Sequence, residues 1–217
     1  SLLYSWIAPD GANLSLDRYR IYFAGASTPV ILSADATSYE ATGLDPATGY
    51  TLRVTTVDHL DKESGGQSLL GVTWLTNPTI TEAVPTDGAV LLSWTAVEPD
   101  ALVDHYAVYV ATASFDSVDA MTPVMTVSGT STVVDGLTND TDYFFAVTTV
   151  NLSDGQAPAV TSTGATPMAD PTAPELTTVA VQSELVVDVT FSERLTDLAL
   201  DRANYVVSGS GKGSLSA

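Results

Sequence analysis

The stretch "DHLDKE" puts Asp58, Asp61 and Glu63 within six residues, and "APDGANLSLD" adds Asp10 and Asp17. Clustered carboxylates offer the hard oxygen ligands that Ca²⁺ takes in sets of about six to eight. Glu98, Asp100 and Asp154 form a second set, and Asp45 could add an oxygen to a bridging ion. No D-x-D-x-D-G loop accompanies either set, so solvated acids on an acidic chain are the competing reading. No cofactor is therefore expected, calcium being the one candidate.

Other chemistry is sparse. Asn13-Leu14-Ser15, Asn139-Asp140-Thr141 and Asn151-Leu152-Ser153 are glycan-acceptor sequons, while Asn77-Pro78-Thr79 is disqualified by its proline. A catalytic centre needs a nucleophile, a base and an oxyanion donor in one place. The two histidines, His59 and His105, stand in a loop and on an alternating strand. No G-x-S-x-G, H-E-x-x-H, phosphate-loop or dinucleotide motif occurs. There is no cysteine, which removes disulfides, thiol nucleophiles and thiolate metal sites. A non-catalytic chain is expected.

The formal net charge is −19, from 26 acidic and 7 basic residues. Such a surface repels phosphate backbones and argues against nucleic acid as a partner. It favours solubility and draws cations. No apolar run approaches the roughly 18 residues of a membrane helix, so no membrane insertion is expected in this segment. Asp-rich acidity with abundant Thr, Ser, Val and Ala points to a secreted or cell-surface microbial protein.

The elements that must position these residues are strands. "RYRIYFA" alternates, with Tyr19, Ile21 and Phe23 on one face and Arg18, Arg20 and Tyr22 on the other. "YTLRVTTV" likewise aligns Tyr50, Leu52, Val54 and Thr56. Period-two patterning between turn words such as "DPATG" and "TNDTD" predicts an all-β chain of short strands. The pattern occurs twice. "DRYRIYFAGAS" from Asp17 returns as "DHYAVYVATAS" from Asp104, "LLYSW" as "VLLSW", and "GLDPATGYTLRVTTVD" as "GLTNDTDYFFAVTTVN". A repeat of this length means a duplicated structural unit with loops of differing length.

A Trp on the second strand, a Tyr-rich third strand, then Gly-Leu, six residues and a Tyr opening an alternating strand resemble a fibronectin type III domain. The resemblance covers about 160 residues in two copies. It implies tandem Ig-like β-sandwiches, with Trp6 and Trp94 as core indoles and Tyr50 and Tyr143 as tyrosine corners preceded by core Leu44 and Leu137. The domains are expected at residues 1–77 and 78–167, the first lacking its opening strand. That edge is either absent from the segment or supplied by another chain or segment. After the Pro-rich "TPMADPTAP", "VDVTFSE" and "ANYVVSG" resemble a bacterial surface-protein Ig-like domain, partly present at residues 168–217, with Val189, Phe191 and Tyr205 as core positions. Trp74, beside the linker "LTNPT", could stack on a sugar; packing between domains is the preferred expectation.

Serial sandwiches on short Pro-containing linkers make semi-rigid rods. The expected role is therefore structural or adhesive: a stalk, S-layer or extracellular filament element. The alternative is a set of accessory modules of an extracellular glycoside hydrolase or protease. Expected partners are neighbouring domains or copies, including self-assembly by a donated strand, and possible glycans. The loops at 10–16, 58–67, 97–103 and 151–157, where the copies differ, are the places to look for function.

Overall fold

The structure is a computed structural model that describes residues 1–9, 15–170, 175–183 and 186–192. Asp10, Asn13 and Tyr205 lie outside the described residues. Two compact units are present, Ser1–Ala169 and Asp170–Ala217.

The first unit holds two β-sandwiches. The first is built from β1 (Leu2–Ser5), β2 (Leu16–Phe23), β3 (Val30–Ser33), β4 (Ser38–Ala41), β5 (Gly49–Asp58) and β6 (Gln67–Val72). Its sheets are β1-β4 and β3-β2-β5-β6, antiparallel throughout. The second is built from β7 (Ile80–Thr86), β8 (Ala89–Trp94), β9 (Val103–Ala111), β10 (Met125–Val127), β11 (Ser131–Val134), β12 (Tyr143–Asn151) and β13 (Thr163–Ala165). Its sheets are β11-β8-β7 and β10-β9-β12-β13. The copies therefore match strand for strand, except that among the described residues β7 has no counterpart in the first.

Alternation decides the cores. Tyr19, Ile21 and Leu52 are buried beneath Tyr4 of β1, with Trp6, Phe23 and Val54 partly buried around them. Trp94, Tyr106, Val108, Phe145 and Val147 do the same in the second copy. Each indole meets a tyrosine ring edge-on, Trp6 with Tyr19 and Trp94 with Tyr106, an arrangement that aromatic quadrupoles favour. The tyrosine corners form as the resemblance implied. Asp45 N donates to Tyr50 Oη at 3.0 Å, and Thr138 N donates to Tyr143 Oη at 3.2 Å.

The outer faces of β5 and β12 are also covered. Thr55 and Val57 are buried on the face opposite Leu52, where Glu63 bridges to Val57. In the second copy, Tyr109, Val118 and Val150 form a separate small core. Gly71 is required by a close approach: a Cβ there would lie 2.6 Å from Tyr4 Oη. That hydroxyl donates to Tyr50 O at 2.9 Å and so ties β1 to the opposite sheet.

In the second unit, β14 (Leu176–Ser183) and β15 (Val186–Phe191) form an antiparallel hairpin. The expected core position Val189 is 41% exposed. Among the described residues no second layer covers that face of the hairpin. Phe191 is half-buried.

Candidate functional site

Two clusters of polar side chains stand out, one on the first sandwich and one where the sandwiches meet. The first forms because β2 presents Arg18, Arg20 and Tyr22 on the face away from the core, beside the β5–β6 loop. Arg18 donates to Asp17 and Asp61. Arg20 donates to Glu63 at 2.7 Å and to Asp61 at 3.2 Å. Tyr22 Oη and Thr55 Oγ1 also donate to Glu63, at 2.8 and 2.7 Å. The guanidinium of Arg53 covers the Tyr22 ring at 4.2 Å, a cation–π contact.

Four of the carboxylates considered for calcium thus meet cations or main-chain donors already. Asp17, Asp61 and Glu63 pair with arginines, and Asp58 Oδ1 accepts from Leu60 N and Lys62 N. Among the described residues, no group of three or more His, Cys, Asp or Glu side chains converges as a metal site. Glu98 accepts from Asp100 N at 3.2 Å. Asp154 sits at a positive φ of 58° in the β12–β13 loop. His59 and His105 pair with Asp17 and Asp104 respectively.

The Thr55 hydroxyl foremost, then Arg20 and Tyr22, hold the Glu63 carboxyl down to about 2, with desolvation opposing. The folded pKa lies below the ordinary 4.5, so this stabilisation is present above that value and fades as pH falls towards 2. Glu63→Gln should lower Tm at neutral pH and flatten the acid-side fall in Tm between pH 5 and 2. Thermal melts across that range check this; parallel falls in parent and variant would count against it.

The second cluster is the joint. The turns at the ends of β5 and β12 share one design. Asp58 N donates to Lys62 O and Asn151 N to Gly155 O, each at 3.0 Å; Asp61 N and Asp154 N return to Asp58 O and Asn151 O. As Asp58 Oδ1 accepts from the residues two and four ahead, so does Asn151 Oδ1, from Ser153 N at 2.9 Å and Gly155 N at 3.0 Å. A side-chain oxygen at that position closes the turn by local capping.

Asn151 differs from Asp58 in having an amide nitrogen. Nδ2 donates to Val72 O at 3.0 Å and Thr73 O at 3.3 Å, across the boundary between the copies. Val72 N donates back to Ser153 Oγ at 2.9 Å. Asn77 in the linker answers from the other side. Its Nδ2 donates to Ala157 O and Ala159 O, both at 2.9 Å, and its Oδ1 accepts from Thr149 N at 3.1 Å. Thr149 Oγ1 closes the set by donating to Thr76 O at 3.0 Å. Leu75 is buried in the second sandwich's core, with Ala47 of the first packed against the same cluster.

Two expectations change here. Asn151 is fully buried and its amide nitrogen is committed to two carbonyls, so the Asn151 sequon presents no accessible acceptor. Leu75, one residue beyond Trp74, is the residue that packs into the second sandwich; Trp74 is 57% exposed. Asn139 is half-buried, its Nδ2 donating to Asp87 Oδ1 and its Oδ1 accepting from Gly88 N. The joint's signal in the sequence was small: Asn replaces Asp at the end of the repeated "VTTV", and an Asn stands in the linker.

Comparison with known proteins bears on the fold. The sequence model of the fibronectin type III domain matches residues 1–69 and again 70–163. No curated protein matches the chain. Among solved structures, the FN1-FN3 domains of chicken CNTN1 share 17% identity at a TM-score of 0.50, over 76% of this chain and 60% of that one. This chain thus spans less than two thirds of that structure. A two-domain fibronectin type III segment of chicken tenascin shares 22% identity at a TM-score of 0.35, over 76% and 90% of the respective chains. The fibronectin(III)-like modules of Clostridium thermocellum CbhA share 11% at a TM-score of 0.45, over 74% and 83%. With the tyrosine corners, the paired indoles and both copies matched, the chain belongs to the fibronectin type III family.

Proposed function

We propose that the two sandwiches serve as a stiff, non-catalytic spacer in a secreted or cell-surface microbial protein, as a stalk, S-layer or filament element. Tandem domains of this family are structural, adhesive or linker modules. The observation that carries the reading is the joint. A flexible tether would leave its polar groups to water, whereas here two asparagines are spent on main-chain groups of the neighbouring copy. Buried polar groups fix one geometry because any other leaves them unpaired. The domain divisions that go with this reading are 1–77, 78–167 and 168–217.

Surface charge supports the setting. Among the described residues all cations, Arg18, Arg20, Arg53 and Lys62, lie in the first sandwich, and residues 78–167 carry none. A strongly anionic module stays soluble and resists non-specific association. Antibodies against residues 1–169 should label intact source cells, and external protease should remove the label. An epitope confined to the cytosol contradicts the proposal. Release into the medium on a polypeptide with glycoside hydrolase or protease activity would favour the accessory-module alternative.

A further inference from the structure

The linker residue Asn77 does more than join two sandwiches. In the first copy the end of β5 is held by the loop that follows it. Thr56 N donates to Ser64 Oγ at 3.0 Å, and Ser64 N returns to Thr56 O at 2.9 Å. By the repeat, Thr149 stands for Thr56 and Ala157 for Ser64. Alanine has no hydroxyl to offer. Asn77 supplies what is missing: its Oδ1 accepts from Thr149 N, and its Nδ2 donates to Ala157 O and Ala159 O. A side-chain amide carries the same kinds of donor and acceptor as a peptide group. Asn77 thus takes the place of a ladder between β12 and residues 156–162, since β13 pairs with β12 only from Thr163 onward.

The other edge of that segment is occupied too. Pro158 O accepts from Val118 N at 3.0 Å, and Val160 N donates to Asp116 O at 2.9 Å. Phe115 N donates to Ser162 Oγ at 3.0 Å. The carbonyls of Ala157 and Ala159 therefore face the linker while that of Pro158 faces residues 115–118, as the two edges of an extended chain alternate. Gln156 pins the near end, accepting from Thr148 Oγ1 at 2.8 Å and donating to Tyr109 Oη at 3.0 Å. Residues 115–118 belong to the connection from Ala111 to Met125, where the first copy takes a shorter path from Phe23 to Val30. That connection lays Phe115, Val118 and Met121 on Tyr109 and Val150 and closes the small outer core. One extended segment thus has the linker on one side and the cover of the outer core on the other.

We propose that residues 156–162 form a strap that couples the linker to the outer core of the second sandwich, each grip on the strap supporting the other. This goes beyond the spacer reading and holds whatever the two sandwiches span. The basis is the shared backbone. Releasing Asn77 leaves Ala157 O, Ala159 O and Thr149 N to find water. A strap that swings out to reach it takes Pro158 O and Val160 N away from residues 116 and 118. Val118, 2% exposed, then loses its cover. Such coupling is reciprocal, so detaching the outer core weakens the hold of Asn77 by the same free energy. The connection at 112–124 is in this way a handle on the joint: gripping it stiffens the linker, and displacing it frees the linker.

Native-state hydrogen exchange on the full chain tests the coupling in both directions. In Asn77→Ala, exchange at the Val118 and Val160 amides, neither of which bonds to Asn77, should speed at least about tenfold. The Trp94 amide, bonded to Thr130 O on the other sheet, should change much less and reports any loss of stability of the sandwich as a whole. In Val118→Ala, which leaves every joint residue in place, the Thr149 amide held by Asn77 should speed relative to Trp94. This second arm decides the matter should Asn77→Ala fail to fold. Exchange at Val118 and Val160 that stays at the parent rate, or that rises only in step with Trp94, overturns the proposal. So does a Val118→Ala chain whose Thr149 amide exchanges as in the parent.

Discussion

The Asn151→Asp variant is expected to keep its turn and lose the joint. Asp58 shows that a carboxylate at this position caps the same turn, through Leu60 N and Lys62 N. The aspartate therefore retains the acceptor for Ser153 N and Gly155 N. It has no donor for Val72 O and Thr73 O, and it sets a negative charge against both carbonyls. Leaving buried carbonyls unpaired costs about 1–3 kcal/mol each. Burying an unpaired charge adds to that, so a total loss of about 3 kcal/mol is expected. Urea unfolding of parent and variant measures it. A loss below about 0.5 kcal/mol, the range of ordinary surface changes, would show that the amide does not hold the copies together.

Leu75→Ala should have an effect of similar size by a different route. The linker leucine is buried in the second sandwich's core, in one cluster with Val90, Leu92, Trp94 and Phe145. Truncating a buried leucine removes its transfer free energy and leaves a cavity, about 2–5 kcal/mol in total. Leu75 precedes the second sandwich's first strand. Its loss should therefore lower the second sandwich's stability and also free the linker. Trp74→Ala is the control: its ring is exposed, and its removal should cost little. Equal destabilisation by the two substitutions would contradict the assignment of Leu75 as the packing residue.

Much of the fold was legible because period-two alternation and paired aromatics leave marks in side-chain type. Tyr19 and Tyr106, Trp6 and Trp94, Tyr50 and Tyr143 could each be placed from the repeat. The joint was not, for a physical reason. Asn77 and Asn151 bond to main-chain carbonyls and amides, and main-chain groups are the same in every residue. A sequence motif for glycosylation drew the eye to Asn151 while its burial was hidden. The acidic loop was legible as a cluster but not as an ion-pair network. Alternation put Arg18 and Arg20 on the outer face, yet only the path of the β5–β6 loop brings Asp61 and Glu63 over them.

The central claim is that Asn77, Asn151 and Leu75 lock two sandwiches into one body. Nitrogen-15 relaxation compares the tumbling of β5 amides with that of β12 amides. In the parent chain both sets should fit a single rotational diffusion tensor, and in Leu75→Ala they should require two. Separate tensors in the parent would contradict the locked joint and, with it, the stiff-spacer reading.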